Sequence, residues 1–386
     1  MIPITKPSLD KNDLKHIKNV LSSKILTDGF YQKKSEDIIK NYINSKFVAV
    51  THSCTAALEI TGILINLKKG DEVILPSYGF VSIANAIVLR GAKPVFVEIN
   101  PNDLNISYDD IKNKTSSKTK AIYVIHYAGN ACEIEKISNY AKSKKIFLIE
   151  DAAHAFLGKY KNKFLGTFGD IGVFSFHETK NIVGGQAGCI SINNSKLIGR
   201  ANCILDKGTN RKIFIKNYKK KIISSKNNKK FYSWVDLGSE YRAPELSCAL
   251  LYSQLLKVKK IQNIRKRNWN IFKNLINKIN TQKFYLIESN KKSTSAYHIL
   301  GLIFKTTELA NKFKLIFQQK KIAATFHYVP LHKSKMGKKY CNYALPITEN
   351  IYNKVVRLPL YSGMTARELA KISSLIKYFL SKNDNH

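Results

Sequence analysis

The sequence predicts an α/β protein: a mainly parallel sheet covered by helices, then a smaller mixed α+β region. Three observations carry this. Short apolar runs alternate with helical patterns through the first half, and repeated β–α–β means a parallel sheet with helices on its faces. Several runs end at side chains able to do chemistry, at the strand ends where such sheets hold ligands: Ser53, Phe80, His126, Asp151 and Lys180. From Pro244 the alternation gives way to a long helical pattern and sparser strand signals. This divides the chain into a large domain, residues 1–243, and a small one, residues 244–386.

In order, residues 1–44 read as a polar arm and a helix with Leu14, Ile17, Val20 and Leu21 on one face. Phe47–Thr51 reads as a buried strand, and Ser53 caps a helix running to about Leu67. Strands follow at Glu72–Leu75, Lys93–Ile99, Ala121–His126 and Ile146–Asp151, with helices at Phe80–Leu89 and Glu133–Lys144 between them. Two more apolar runs, Ile171–Phe176 and Cys189–Ile192, flank a polar turn holding Lys180. Lys212–Lys230 is basic and without period, a solvated loop or insertion. Beyond the Pro244 helix, strands are expected at Tyr297–Phe304 and Thr325–Tyr328 and an extended segment at Val356–Leu360. Helices are expected at Glu308–Lys320 and Thr365–Leu380.

Composition narrows the class. At 386 residues, 44% hydrophobic, the chain can bury a sizeable core. No apolar run approaches the ~20 residues of a membrane span, and the first residues lack a signal peptide's apolar core. A cytoplasmic enzyme without membrane insertion is expected. Six scattered cysteines, none in a Cys-x-x-Cys pair, read as free thiols of a reducing compartment. No spacing points to a metal. The net charge of +37 raises nucleic acid as a partner, but eight arginines stand against 56 lysines spread along the whole chain. Arginine supplies the phosphate- and base-reading fork, so no nucleic-acid role is expected.

The chemistry gathers at two strand ends. Lys180 presents an amine after one apolar run, and Asp151 a carboxylate after another. An amine and a carboxylate at neighbouring strand ends are the pair a pyridoxal phosphate site needs. The amine bonds the cofactor's aldehyde carbon, and the carboxylate keeps the ring nitrogen protonated. Ser53 and Thr55 open a helix just after a strand, as a phosphate site requires, though an ordinary N-cap has the same form. Ser175 adds a hydroxyl near Lys180. Phe80 and His154 could cover the cofactor ring, or simply pack. Gly184, Gly185 and Gly188 allow a tight turn.

Three stretches carry a resemblance: Pro76-Ser-Tyr-Gly-Phe-Val, Glu150-Asp-Ala-Ala-His and, above all, Phe174-Ser-Phe-His-Glu-Thr-Lys-Asn. They resemble the DegT/DnrJ/StrS-type sugar aminotransferases, and the likeness runs over nearly the whole chain. It implies the pyridoxal-phosphate-dependent transferase fold type I, that of aspartate aminotransferase, with pyridoxal 5'-phosphate as cofactor. Lys180 would bind the cofactor covalently and shuttle the proton, and Asp151 would pair with the ring nitrogen. Phe80 and His154 would flank the ring, and Ser53, Thr55 and Ser175 would hold the phosphate. Asn210, in Lys207-Gly-Thr-Asn-Arg, would reach the phosphate in the neighbouring subunit of a homodimer. Tyr328 and His332, in Phe326-His-Tyr-Val-Pro-Leu-His, would lie near a sugar nucleotide. Within the family the likeness points to amination of dTDP-4-keto-6-deoxyglucose to the galacto-configured 4-amino sugar, with glutamate as donor, for a surface polysaccharide; the alternative is another keto-sugar nucleotide, UDP- or GDP-linked, or a gluco-configured product.

Two departures bear on this. Relatives commonly read Gly-Glu-Gly-Gly in the turn after the lysine, where this chain has Gly185-Gln-Ala-Gly188, and the Lys212–Lys230 stretch is long. Two rivals are disfavoured. Family dehydratases carry histidine where Lys180 stands, and a regulator on the same fold need not keep both Asp151 and Lys180.

Overall fold

The computed structural model describes residues 1–212, 214, 215 and 231–381. Seven strands build the large sheet: β1 (Phe47–Thr51), β2 (Glu72–Pro76), β3 (Lys93–Val97), β4 (Thr119–Ile125), β5 (Phe147–Asp151), β6 (Ile171–Ser175) and β7 (Gly188–Ile192). Their order is β1-β7-β6-β5-β4-β2-β3. β2 runs parallel to β3 and β4, β4 to β5, and β5 to β6. Only β7 runs against its neighbours β1 and β6. Every residue of β6 and β7 is buried. Hence these strands read as continuous apolar runs rather than as alternation.

Each face of the sheet has its own core. One holds α3 (Cys54–Leu64), through Ala57, Leu58 and Ile60, and α4 (Ser82–Val88), through Ile83 and Ile87. The other holds α5 (Ile134–Ser143), through Ile137 and Ala141. A third core lies at a three-stranded antiparallel sheet of β8 (Phe284–Leu286), β9 (Leu300–Phe304) and β10 (Val355–Leu358). Phe272, Phe304, Phe313 and Phe379 fill it. The last two come from α8 (Thr307–Gln319) and α9 (Ala366–Ser381), and Phe272 from α7 (Val258–Ile279).

The proposed boundary at residues 243 and 244 falls at the start of α6 (Glu245–Leu256). This helix packs on α1 (Lys11–Ser23) and α2 (Phe30–Ile43). Gly29, the N-cap of α2, has no side chain to offer. The Glu245 carboxylate replaces it, accepting from the amides of Tyr31 and Gln32 at 2.8 Å each. The N-terminal arm crosses to the small sheet's side, where Ile2 bridges Ile322 and the Ile4 carbonyl accepts from the Leu360 amide at 3.1 Å.

Several expectations are corrected. The N-terminal region forms two helices, and α1 does not bury an apolar stripe: Val20 is 1% exposed, but Leu14 and Leu21 are 55% and 57% exposed. The helix is anchored instead through buried Asp13, which accepts from Gln254 Nε2 at 3.1 Å and pairs with Lys257 at 2.8 Å. The strand expected from Tyr297 begins at Leu300, because Tyr297 sits at φ +51°. Thr325–Tyr328 is no strand. Thr325 bridges Arg357 at the edge of β10, and the chain then turns away. Of the Lys212–Lys230 stretch, all but residues 212, 214 and 215 lies outside the described residues. Among the described residues no helix is long and apolar enough to cross a membrane.

Candidate active site

The carboxyl ends of β1, β5 and β6 meet at a cavity of about 560 Å³. Beside them, Gly188 opens β7, paired with Thr51 on one side and Ser175 on the other. A Cβ on Gly188 would lie 2.3 Å from the Cys54 amide nitrogen and 2.6 Å from the Ser53 carbonyl oxygen. Only glycine lets β7 come this close to the start of α3. Ser53 caps α3, its Oγ accepting from the Ala56 amide at 3.0 Å, and Thr55 Oγ1 lies 2.7 Å from Ser82 Oγ. The first turn of this helix thus turns amides and hydroxyls toward the cavity, a setting suited to a phosphate.

Asp151 ends β5 on the cavity wall and is buried. Burial raises its carboxyl pKa, and the Ala153 amide, donating at 3.0 Å, and the Lys180 charge oppose that rise. Lys180 stands in the turn after β6, its backbone N–H donating to the His177 carbonyl at 2.8 Å. Desolvation pulls its pKa down to about 8. The Cys54 thiol and Asp151 resist this, and the Arg357 charge adds to it. The amine is thereby readied as a nucleophile and proton carrier near neutral pH. The departure in the following turn leaves the turn closed. Phe176 donates to the Ala187 carbonyl at 2.8 Å and accepts from Gly184 at 2.7 Å, while Gln186 stays at the cavity wall.

The cavity therefore gathers Ser53, Thr55, Phe80, Asp151, His154, Ser175, Lys180 and Tyr328 from the expected set. Phe80, 59% exposed, stands with Tyr328 at 6.2 Å between ring centroids. His154 is buried and its pKa is driven down by burial. Its Nδ1 has no partner among the described residues, an orphan that a bound polar group would satisfy. Two expected residues are not brought to the cavity. Asn210 accepts from the Ser233 amide at 2.8 Å. His332 is buried between Ser77 Oγ, at 2.6 Å, and Glu349 Oε1, at 3.0 Å. His126 also lies outside it, paired at 2.9 Å with Glu150.

His298, His327 and Arg357 also line the cavity and were not among the expected residues. His298 sits over His154 at 4.5 Å between ring centroids, and its Nδ1 lies 2.9 Å from Asn181 Oδ1. His327 meets the Tyr127 hydroxyl at 2.9 Å. No spacing announces either histidine. Arg357 projects from β10, and it did leave a signal: one charge inside the apolar run Val355–Leu360.

An amine, a buried carboxylate, a hydroxyl-rich helix start and an orphaned imidazole nitrogen around one cavity fit pyridoxal 5'-phosphate. The comparisons agree. The model of the DegT/DnrJ/EryC1/StrS aminotransferase family matches residues 7–377. An uncharacterized protein of Methanocaldococcus jannaschii is 32% identical, over 99% of this chain and 98% of its own. The GDP-perosamine synthase of Escherichia coli O157:H7 is 29% identical over 98% and 99%. The dTDP-4-dehydro-2,3,6-trideoxy-D-glucose 4-aminotransferase of Saccharopolyspora spinosa is 26% identical over 97% and 95%. Among solved structures, Helicobacter pylori PseC, an aminotransferase involved in the biosynthesis of pseudoaminic acid, superposes with a TM-score of 0.87. It is 26% identical, over 98% of this chain and 99% of that one. This chain belongs to the DegT/DnrJ/EryC1/StrS aminotransferase family, whose cofactor is pyridoxal 5'-phosphate.

Proposed function

We propose that this aminotransferase moves the amino group of glutamate to carbon 4 of a 4-keto-6-deoxy sugar nucleotide, with dTDP-4-keto-6-deoxyglucose as substrate and its 4-amino-4,6-dideoxygalactose derivative as product. The observation that carries the reaction type is Lys180 facing the same cavity as Asp151. The choice of carbon 4 is supported by the Saccharopolyspora relative, whose name states it, and that name also supports dTDP. The Escherichia coli relative carries GDP in its name, so the nucleotide is the finer part of the proposal.

Bound pyridoxal phosphate supplies an aldehyde to take the amino group and a protonated ring to accept the electron pair released when the donor's Cα–H bond breaks. Lys180 Nζ takes that proton and returns it, and its lowered pKa suits both directions. Asp151 would hold a proton at the ring nitrogen. Ser53, Thr55 and Ser175 would hold the phosphate, and His154 and Phe80 would cover the ring. Tyr328 lines the same cavity and would meet the sugar. His332 acts from behind, since its bonds to Ser77 and Glu349 support the segment that carries Tyr328.

The active unit is a homodimer in which Asn210 serves the partner's site. Two exposed apolar stretches support this: Leu9, Leu14, Leu21, Ile25, Leu26 and Phe30 near the N-terminus, and Phe231, Tyr232, Trp234 and Val235 close to Asn210. Six free thiols suit the reducing cytoplasm. The test is to supply dTDP-4-keto-6-deoxyglucose and glutamate, follow 2-oxoglutarate release, and identify the product by NMR. Turnover of a GDP- or UDP-linked keto sugar with none of the dTDP sugar would refute the nucleotide. A gluco-configured amine would refute only the stereochemistry.

A further inference from the structure

Four histidines line the cavity: His154, His177, His298 and His327. They differ in where the ring proton sits. His154 Nδ1 has no partner among the described residues. His327 Nδ1 meets the Tyr127 hydroxyl, which can give or accept. The exposed His177 accepts the Thr179 amide on Nδ1 at 3.3 Å, so its ring proton lies on Nε2. His298 is the reverse case. Its Nδ1 lies 2.9 Å from Asn181 Oδ1, and Asn181 Nδ2 donates to the Ala296 carbonyl at 2.7 Å. A carbonyl only accepts, so this side-chain amide cannot be turned round. Its oxygen faces His298, and the His298 proton is therefore on Nδ1. Burial keeps the ring neutral, and His154 and the charges of Lys180, Arg265 and Arg357 act in the same direction. Nε2 is thus a bare lone pair on a ring that lines the cavity.

Backbone contacts fix the place of this ring. The Ala296 amide donates to the Gly129 carbonyl at 2.9 Å, and the His298 amide to the Ala128 carbonyl at 3.2 Å. Arg265 donates to the carbonyls of Tyr297 and His298 at 3.1 and 2.8 Å, and Gln262 Nε2 to that of Ala296 at 2.8 Å. Asn181 directly follows Lys180, so the clasp that orients His298 is continuous with the turn that carries the reacting amine. An acceptor held in this way loses little order when it binds.

We propose that His298 is a specificity residue whose Nε2 accepts a hydrogen bond from the 3-hydroxyl of the sugar, with Asn181 as the positioning residue that orients it. The inference rests on the reading of the substrate as a 4-keto-6-deoxy sugar nucleotide. Carbon 4 must come to the reacting centre at Lys180. Of its two ring neighbours, carbon 3 bears a hydroxyl and carbon 5 a methyl group. A lone pair in the same cavity therefore meets the 3-hydroxyl first. Glutamate offers it no hydroxyl, and its carboxylates only accept. A buried acceptor left unmatched is costly, and that cost turns a missing hydroxyl into discrimination between sugars.

The experiment compares dTDP-4-keto-6-deoxyglucose with its 3-deoxy counterpart on the holoenzyme and its His298→Phe, His298→Gln and Asn181→Leu variants. kcat/KM is measured for both sugars with glutamate as donor. Calorimetry gives the binding of the unreactive 4-hydroxy analogues, with and without the 3-hydroxyl. The ratio between the two sugars is the readout, since it cancels any general loss in a variant. The wild-type enzyme should favour the 3-hydroxy sugar about tenfold or more by both measures. His298→Phe should bring the ratio toward unity, and His298→Gln, which keeps an acceptor, should hold part of it. Asn181→Leu should lower the ratio, a change that a merely structural contact would not produce. A ratio that survives His298→Phe overturns the proposal. Where that variant does not fold, a wild-type ratio in Asn181→Leu overturns it. A wild-type enzyme that handles both sugars equally refutes this inference alone. One that aminates neither sugar, with its glutamate half-reaction intact, refutes the substrate reading and this inference with it.

Discussion

His126 Nε2 lies 2.9 Å from Glu150 Oε2, and both side chains are fully buried. The same carboxylate accepts from the amides of Gly166, Phe168 and Gly169 at 2.8, 2.6 and 2.6 Å. Glu150 immediately precedes Asp151, so this network ties the 166–169 loop to the strand end that presents the Asp151 carboxylate to the cavity. Glu150→Leu strands several buried donors at once. It should cost about 3–5 kcal/mol of stability. Urea unfolding of the purified variant checks this, and a change under about 1 kcal/mol would show that the network is not structural.

Two glycines should answer alanine in opposite ways. At Gly188 the new methyl meets the backbone of Ser53 and Cys54, which cannot yield without moving the start of α3. Gly188→Ala should lower cofactor affinity by at least about tenfold and destabilise by roughly 1–3 kcal/mol. At Gly199, inside the helix Ile198–Ile204, nothing lies within 4 Å, so Gly199→Ala should be neutral or stabilising by up to about 1 kcal/mol. Fluorescence titration of pyridoxal phosphate and thermal melts of both variants compare them. Equal effects would refute the cradle.

Lys180 sets a pH dependence. Its folded pKa of about 8 lies below the ordinary lysine value of 10.5 because burial disfavours the charged form. The amine is protonated below that pH and neutral above it, and only the neutral amine attacks an aldehyde. The rate of cofactor incorporation into the apoprotein should therefore rise with pH through a midpoint near 8. Stopped-flow absorbance checks it. A rate still climbing steeply from pH 9 to 10.5 would mean the amine is not desolvated.

Subunit sharing predicts complementation. Asn210 is turned to Ser233 in its own chain, away from the Lys180 cavity. A Lys180→Ala chain mixed with an Asn210→Ala chain should recover activity in the heterodimer, which carries one site with both residues intact. Verified heterodimers of well-folded chains with no recovery would count against Asn210 acting across subunits.

What was legible follows from what each residue must satisfy. β1, β2, β5 and β6 could be read almost to the residue, because buried strands need unbroken apolar runs and stop where polar chemistry begins. Lys180 and Asp151 followed from those stops. The α1 face was misread because Asp13 and Lys257, rather than leucines, anchor that helix. Thr325–Tyr328 looked like a strand by its β-formers. There His327 is held by Tyr127, and Tyr328 turns to the cavity. His298 was invisible because its place over His154 depends on a segment docked by Ala296 on the Gly129 carbonyl at 2.9 Å, a contact between residues far apart in sequence.

The central claim is that one lysine among 56 is the reacting amine. Borohydride reduction of the holoenzyme, followed by proteolysis and mass spectrometry, tests it directly. A pyridoxyl group is expected on the peptide containing Lys180 and on no other. A label on a different lysine, or none on Lys180 in protein that has bound the cofactor, would contradict it.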